Sequence, residues 1–294
     1  MRQKQHNSQS FSSAPAMHFP VTALAPSAAL ADALTVHWRE YLMEGSEIGS
    51  VMLSTCTFGT LIYGNDSPLK AFALSRGMGS LLMGMAIAMT TFLIACSPFG
   101  RRTGAHFNPS VTLAFPWLRQ IHRWDAVCYV VAQFLDAVIG VLIAHRFLGE
   151  RLSADPVTYL VTVPGIYGRT VAFIAEFVLS GLFISIALYA SNHRRLARFS
   201  PILVALFTIS YFTLSPSTSG FSVNPARSFS SALFAWLWRG IWIYFLAPCL
   251  GMLAAAEIYI KLAGSDRVFC AKVFHDTRSV CPFPCHFDRL LRET

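Results

Sequence analysis

Two stretches of this 294-residue chain decide its fold. The first is Thr103-Gly104-Ala105-His106-Phe107-Asn108-Pro109-Ser110. The second is Ser219-Gly220-Phe221-Ser222-Val223-Asn224-Pro225-Ala226, and the two align without a gap. In each, Asn-Pro opens an apolar run. Asn is a good N-cap, because its side-chain oxygen accepts from the free N–H groups of a first helical turn. Pro suits the first helical position, where no N–H is needed. The runs, 108–118 and 224–238, are too short to cross a bilayer, which takes ~20 helical residues. A single Asn-Pro pair reads as a plain cap in a loop. Two in register read as two re-entrant half-helices.

Six longer apolar segments surround them, at about 41–63, 78–97, 125–148, 169–191, 199–214 and 241–261. Each is near the length of a transmembrane helix, the fifth being the shortest. Three accompany each half-helix, so the halves have opposite membrane orientation. Inverted repeats with broken helices place their site at the bilayer midplane, between the halves. Non-helical backbone at that depth must be buried in protein or line a watery cavity. The expected fold is an all-α membrane protein with six transmembrane helices and two re-entrant half-helices in an inverted repeat.

Composition agrees. Apolar residues make up 54% and charged residues 13%, about half the charge of a soluble protein. That excludes a disordered chain, a coiled coil and an ordinary soluble enzyme. A β-barrel is excluded too, since its strands are short and alternating. With both termini inside, Arg101, Arg102, Arg119, Arg123, Arg194, Arg195 and Arg198 join the basic residues of the two tails on the cytosolic side. The outer side keeps Lys70, Arg76, Arg146, Arg151, Arg169 and Arg239. This is the positive-inside pattern of a multi-pass protein of a plasma or bacterial inner membrane. The net charge of +8 then reflects topology and calls for no nucleic-acid partner. Four parts follow: a disordered cytosolic leader (1–38), a first channel repeat (39–150), a second (151–263) and a Cys/His-containing cytosolic tail (264–294).

The two boxes, with Val111-Thr112 after the first and Arg227-Ser228-Phe229 after the second, resemble those of the aquaporin, or major intrinsic protein, family. The likeness covers roughly residues 41–261. The first box departs from the usual Asn-Pro-Ala by ending in Ser110. The resemblance implies pore boxes at Asn108, Pro109, Ser110, Asn224, Pro225 and Ala226, and a homotetramer with one pore per protomer. It also implies a selectivity filter at Arg227, Phe212 and Phe221, with a fourth wall near Ala88. Phe221 is similar to the glycerol-conducting branch. Ser228 and the pair Tyr244-Phe245 are similar to water channels.

An intramembrane charge is costly and marks a pathway or a partner, so Arg227 stands out, as do Glu44, Glu47 and Glu176. Glu44 and Glu47 share a helix face. Glu176 resembles the family's glutamate that braces the stretch before a half-helix. One of Glu44 and Glu47 is expected to do the same in the first repeat, and His106 to pin that loop. Cys56, Cys96, Cys128 and Cys249 read as packing residues. In the tail, Cys270, His275, Cys281 and Cys285 form a candidate zinc set, although their spacing matches no standard motif. Otherwise no cofactor is expected. The function expected is a passive channel for water and small neutral solutes such as glycerol, excluding ions and protons. The alternative is an ion- or proton-coupled secondary transporter. No catalytic residues are expected, for no Ser-His-Asp cluster, phosphate loop or metal pair lies within the spans.

Overall fold

In a computed structural model of the chain, residues 24–71, 76–214, 218–275 and 280–292 are described. The leader expected at 1–38 lies outside them up to residue 23. Its last part does not: helix α1 runs Leu30–Tyr63 and begins well before the first apolar segment. The pre-span turns hold because His37 and the Tyr41 hydroxyl both bond Asp125, at 2.8 and 2.7 Å.

The other helices are α2 (Arg76–Cys96), α3 (Pro98–Thr103), half-helix α4 (Pro109–Trp117), α5 (Arg123–Leu148) and a single turn, α6 (Glu150–Ser153). They continue with α7 (Gly168–Ser191), α8 (Ser200–Leu214), half-helix α9 (Pro225–Ala235), α10 (Ile241–Ala263) and a short tail helix, α11 (Phe287–Arg292). Among the described residues, α2, α5, α7, α8 and α10 are long and apolar enough to cross a membrane. α1 is long enough but carries Glu40, Glu44 and Glu47 among Ser, Thr and Gly. Its hydroxyls bond back to carbonyls one turn earlier, as Thr55 does to Val51 and Thr60 to Cys56, and its three carboxylates are buried.

The most extensive packing joins α1 to α5, α7 to α10, and α2 to α8. The first two pairs are the same pair in the two repeats. A Cβ at Gly140 on α5 would run into the Gly49 carbonyl of α1, and one at Gly251 on α10 into the Phe177 carbonyl of α7. Glycine lets both backbones touch. Apolar side chains such as Leu135 on α5 and Leu250 on α10 face outward, as lipid or a neighbouring subunit requires.

Candidate functional site

Both half-helices start where the sequence places them. Asn108 caps α4 by accepting from the Ser110 N–H at 2.9 Å, and Asn224 caps α9 through Ala226 and Arg227. The two N-termini meet, and each Asn reaches across. The Asn108 amide donates to the Val223 carbonyl at 2.7 Å, and the Asn224 amide to the Phe107 carbonyl at 2.8 Å. An amide carries two N–H donors. One ties the repeats together, which leaves the other for the cavity that both Asn line.

The loops leading in are strained in the same way. Ala105 and Phe107 have φ of 58° and 53°, and their counterparts Phe221 and Val223 have 60° and 55°. Non-glycine residues in this left-handed region cost about 1–3 kcal/mol each and persist only where their surroundings over-determine them. The surroundings are carboxylates. Glu176 accepts from the Ser222 and Val223 N–H groups at 3.0 and 2.6 Å. Glu44 accepts from the Phe107 N–H at 2.6 Å and from Gln133 at 2.7 Å. Glu44 is therefore the equivalent of Glu176, while Glu47 takes the Thr103 hydroxyl at 2.9 Å. Tyrosines complete each brace: Tyr129 donates to the Thr103 carbonyl, and Tyr244 to that of Ser219, the matching position. His106 bonds Thr112 at 3.1 Å and stacks on Phe115.

A cavity of about 110 Å³ runs along this junction, lined among others by Asn108, Asn224, Phe212, Phe221 and Arg227. That is room for a few waters. Phe212 and Phe221 face each other with ring centroids 5.0 Å apart. These two rings and Arg227 also line a second recess, opening away from the chain termini. They therefore stand between the two spaces. The Arg227 Nη1 is buried with no hydrogen-bond partner among the described residues.

Ala88 is a correction. It is buried but does not line the cavity; Ile87, Thr91 and Ala95, one face of α2, do. Counting back from the first box crosses the break at Ser97 and the separate turn of α3, and the helical phase is lost there. Ser110 also points away from the lining: its hydroxyl meets the Cys249 thiol of α10 at 3.2 Å. Ser228 bonds Ser222 and Thr162 in a buried hydroxyl chain.

The tail lies against the cavity too. Val273 and Phe274 line its end on the side of the termini, and Cys270, His275, Cys281 and Cys285 bring their ligating atoms within 4.8 Å of one another. The sequence offered the cluster but no sign of its place at the cavity. Nor did it single out Tyr129 or Gln133, or give Thr112 a role beyond its place after the first box. Only the polar character of Gln133 and Thr112 within apolar stretches could have marked those two.

Residues 31–259 match the family model described as Major intrinsic protein. A probable NIP-type aquaporin of Nicotiana alata is 29% identical over 67% of this chain and 75% of its own length. Aquaporin NIP3-1 of Zea mays is 34% identical over 59% of this chain and 55% of its own. Among solved structures, the aquaglyceroporin from Plasmodium falciparum superposes with a TM-score of 0.64 at 20% identity, covering 77% of this chain and 96% of that one. The last likeness bears on the fold alone. The family match, with the paired half-helices at its centre, makes the chain a member of the major intrinsic protein family, a membrane channel and not an enzyme.

Proposed function

We propose that the chain conducts water and small neutral solutes such as glycerol passively, and that it excludes ions and protons. The observation that carries this reading is the meeting of two Asn-capped half-helix N-termini at one narrow cavity. Each N-terminus is equivalent to ~+0.5 charge. Together they repel cations at the point where both Asn amides offer a donor to a passing oxygen. Such a field orients water against proton relay.

Arg227, Phe212 and Phe221 form the filter in this reading, with Ile87 on the α2 face below them. The guanidinium supplies a donor and a second barrier to cations, and the two rings set the width. Glu44, Glu47 and Glu176 are spent on holding loops, which favours a channel over a proton-coupled carrier. In this reading the protein sits in a cell membrane with both termini cytosolic, as a homotetramer with one pore per protomer.

Stopped-flow swelling of proteoliposomes, with water and glycerol measured separately, tests the proposal. Flux above empty liposomes, unchanged by an imposed pH or sodium gradient, is expected. No flux of either permeant would overturn it, and flux that follows an ion gradient would favour the carrier.

A further inference from the structure

The tail crosses the mouth of the cavity on the side of the termini. The Val273 N–H donates to the Gly104 carbonyl at 2.9 Å, and the Ser200 hydroxyl donates to the Val273 carbonyl at 2.8 Å. Gly104 belongs to the first repeat and Ser200 opens α8 in the second, so one residue bridges both halves. His106 bonds the Ala271 carbonyl at 2.7 Å. The buried Lys272 ammonium bonds the Arg101 and Val280 carbonyls at 2.5 and 2.9 Å. Phe283 packs on the rings of Tyr129 and His106. Val273 and Phe274 thus form an apolar part of the cavity lining at this end.

Few residues of this tail hold it in shape. Among the described residues, the tail's own apolar cluster is small, Phe269, Phe287 and Leu290 against Ala197, while Val268, Ala271, Val273 and Phe283 pack on the channel core instead, and a segment of this size needs a staple. The four ligands are that staple. Cys270 and Cys285 form an antiparallel bridge, and the His275 Nε2 lies 3.1 Å from the Cys281 sulfur and 3.2 Å from that of Cys285. With Zn–S of ~2.3 Å and Zn–N of ~2.0–2.1 Å, a tetrahedral ion would set ligand atoms ~3.6 Å apart, inside the span of 3.1 to 4.8 Å over which they lie. Three sulfurs and one imidazole nitrogen converge there, the donor set of a structural zinc site. A thiolate is what a soft divalent metal binds.

We propose that Cys270, His275, Cys281 and Cys285 bind one zinc-class ion, and that this ion clamps the tail as a stopper over the pore. Cys270 and His275 bracket the segment carrying Val273 and Phe274. Metal loss frees that segment and raises flux, and metal occupancy restricts the channel to a lower, basal flux. The stopper clause rests on the pore reading above. The metal clause does not.

The test uses the full-length protein, purified under reducing conditions. Elemental analysis should find one zinc per chain, and Co²⁺ exchanged into it should give thiolate-to-cobalt charge-transfer absorption. Cys281→Ser and Cys270→Ser should each lose the metal and raise water flux severalfold, and a chelator should do the same to the wild type. Metal content near zero, with free thiols or a Cys270–Cys285 disulfide in its place, overturns the proposal. So does flux that stays unchanged after the metal is lost. The double variant Val273→Gly, Phe274→Gly keeps every ligand but removes the stopper. High flux through it alongside Cys variants at basal flux rejects the clamp. If it retains metal but conducts nothing, the pore reading fails instead.

Discussion

Glu176 holds the second loop with both oxygens, one on each of two successive N–H groups. Changing it to Gln replaces one acceptor by a donor, which then faces an N–H donor in a buried place. An unsatisfied buried polar group costs about 1–3 kcal/mol, and the released strain of Phe221 and Val223 leaves their positions free to drift. Glu176→Gln should therefore lower the melting temperature in detergent and abolish most water flux. Glu44→Gln should be milder, because Glu44 grips a single loop N–H, and the same two assays rank the pair. Arg227→Val makes a different prediction. Among the described residues no hydrogen bond to its Nη1 is lost, so stability should hold. Glycerol permeability should rise severalfold, and a proton leak should appear with a pH-sensitive dye inside the liposomes. Unchanged profiles would take Arg227 out of the filter. Much of this was legible from residue types, since charges at membrane depth are rare enough to stand out. The choice between Glu44 and Glu47 was not. Both lie on one face of α1, and only the three-dimensional course of the loop decides which reaches its N–H.

At the scale of elements, the half-helices were the clearest signal. Asn-Pro fixes both a cap and a first turn, and α4 and α9 begin where that chemistry dictates. The α1 start was hidden, because its first turns are held by His37 and Tyr41 on Asp125, groups far apart in sequence. The α2 face was displaced by one residue, from Ala88 to Ile87, at the break between α2 and α3. Element packing yields its own prediction. Gly140 and Gly251 each lie directly on a partner helix backbone, and backbone cannot rotate out of the way as a side chain can. Gly251→Ala must push α10 off α7, and overpacking of this kind costs about 1–3 kcal/mol. Gly140→Ala should cost a similar amount, since the α1–α5 pair repeats the geometry. Both should show as a lowered melting temperature in detergent, whereas Gly77→Ala, with open space around it, should leave the melt unchanged.

Among the described residues, the molecule is two similar halves plus a tail that has no counterpart. Cap, crossing Asn bond, strained pair, glutamate and tyrosine all occur twice, and that duplication is what made the fold readable from one sequence. The tail breaks the symmetry by covering only the mouth on the side of the termini. Its contacts to Gly104, His106 and Ser200 span more than seventy residues of sequence each, so no local pattern announced them. Which side of the membrane that mouth faces is a prediction about charge. Arg194, Arg195 and Arg198 join α7 to α8 on the tail side, where Phe269 bonds Asn192 at 2.8 Å. Arg151 lies at the opposite end, in α6. Basic loops are retained on the cytosolic side during insertion, so the tail should be cytosolic. Arg151 and Arg195 are both exposed, which makes each a usable reporter. In intact cells, a membrane-impermeant maleimide should label Arg151→Cys above the wild-type background and spare Arg195→Cys. After permeabilisation both should react. The reverse pattern would put the stopper outside. There a thiol cluster meets oxidising conditions that favour disulfides over metal, so the orientation measured by this labelling also decides which chemistry is open to the tail.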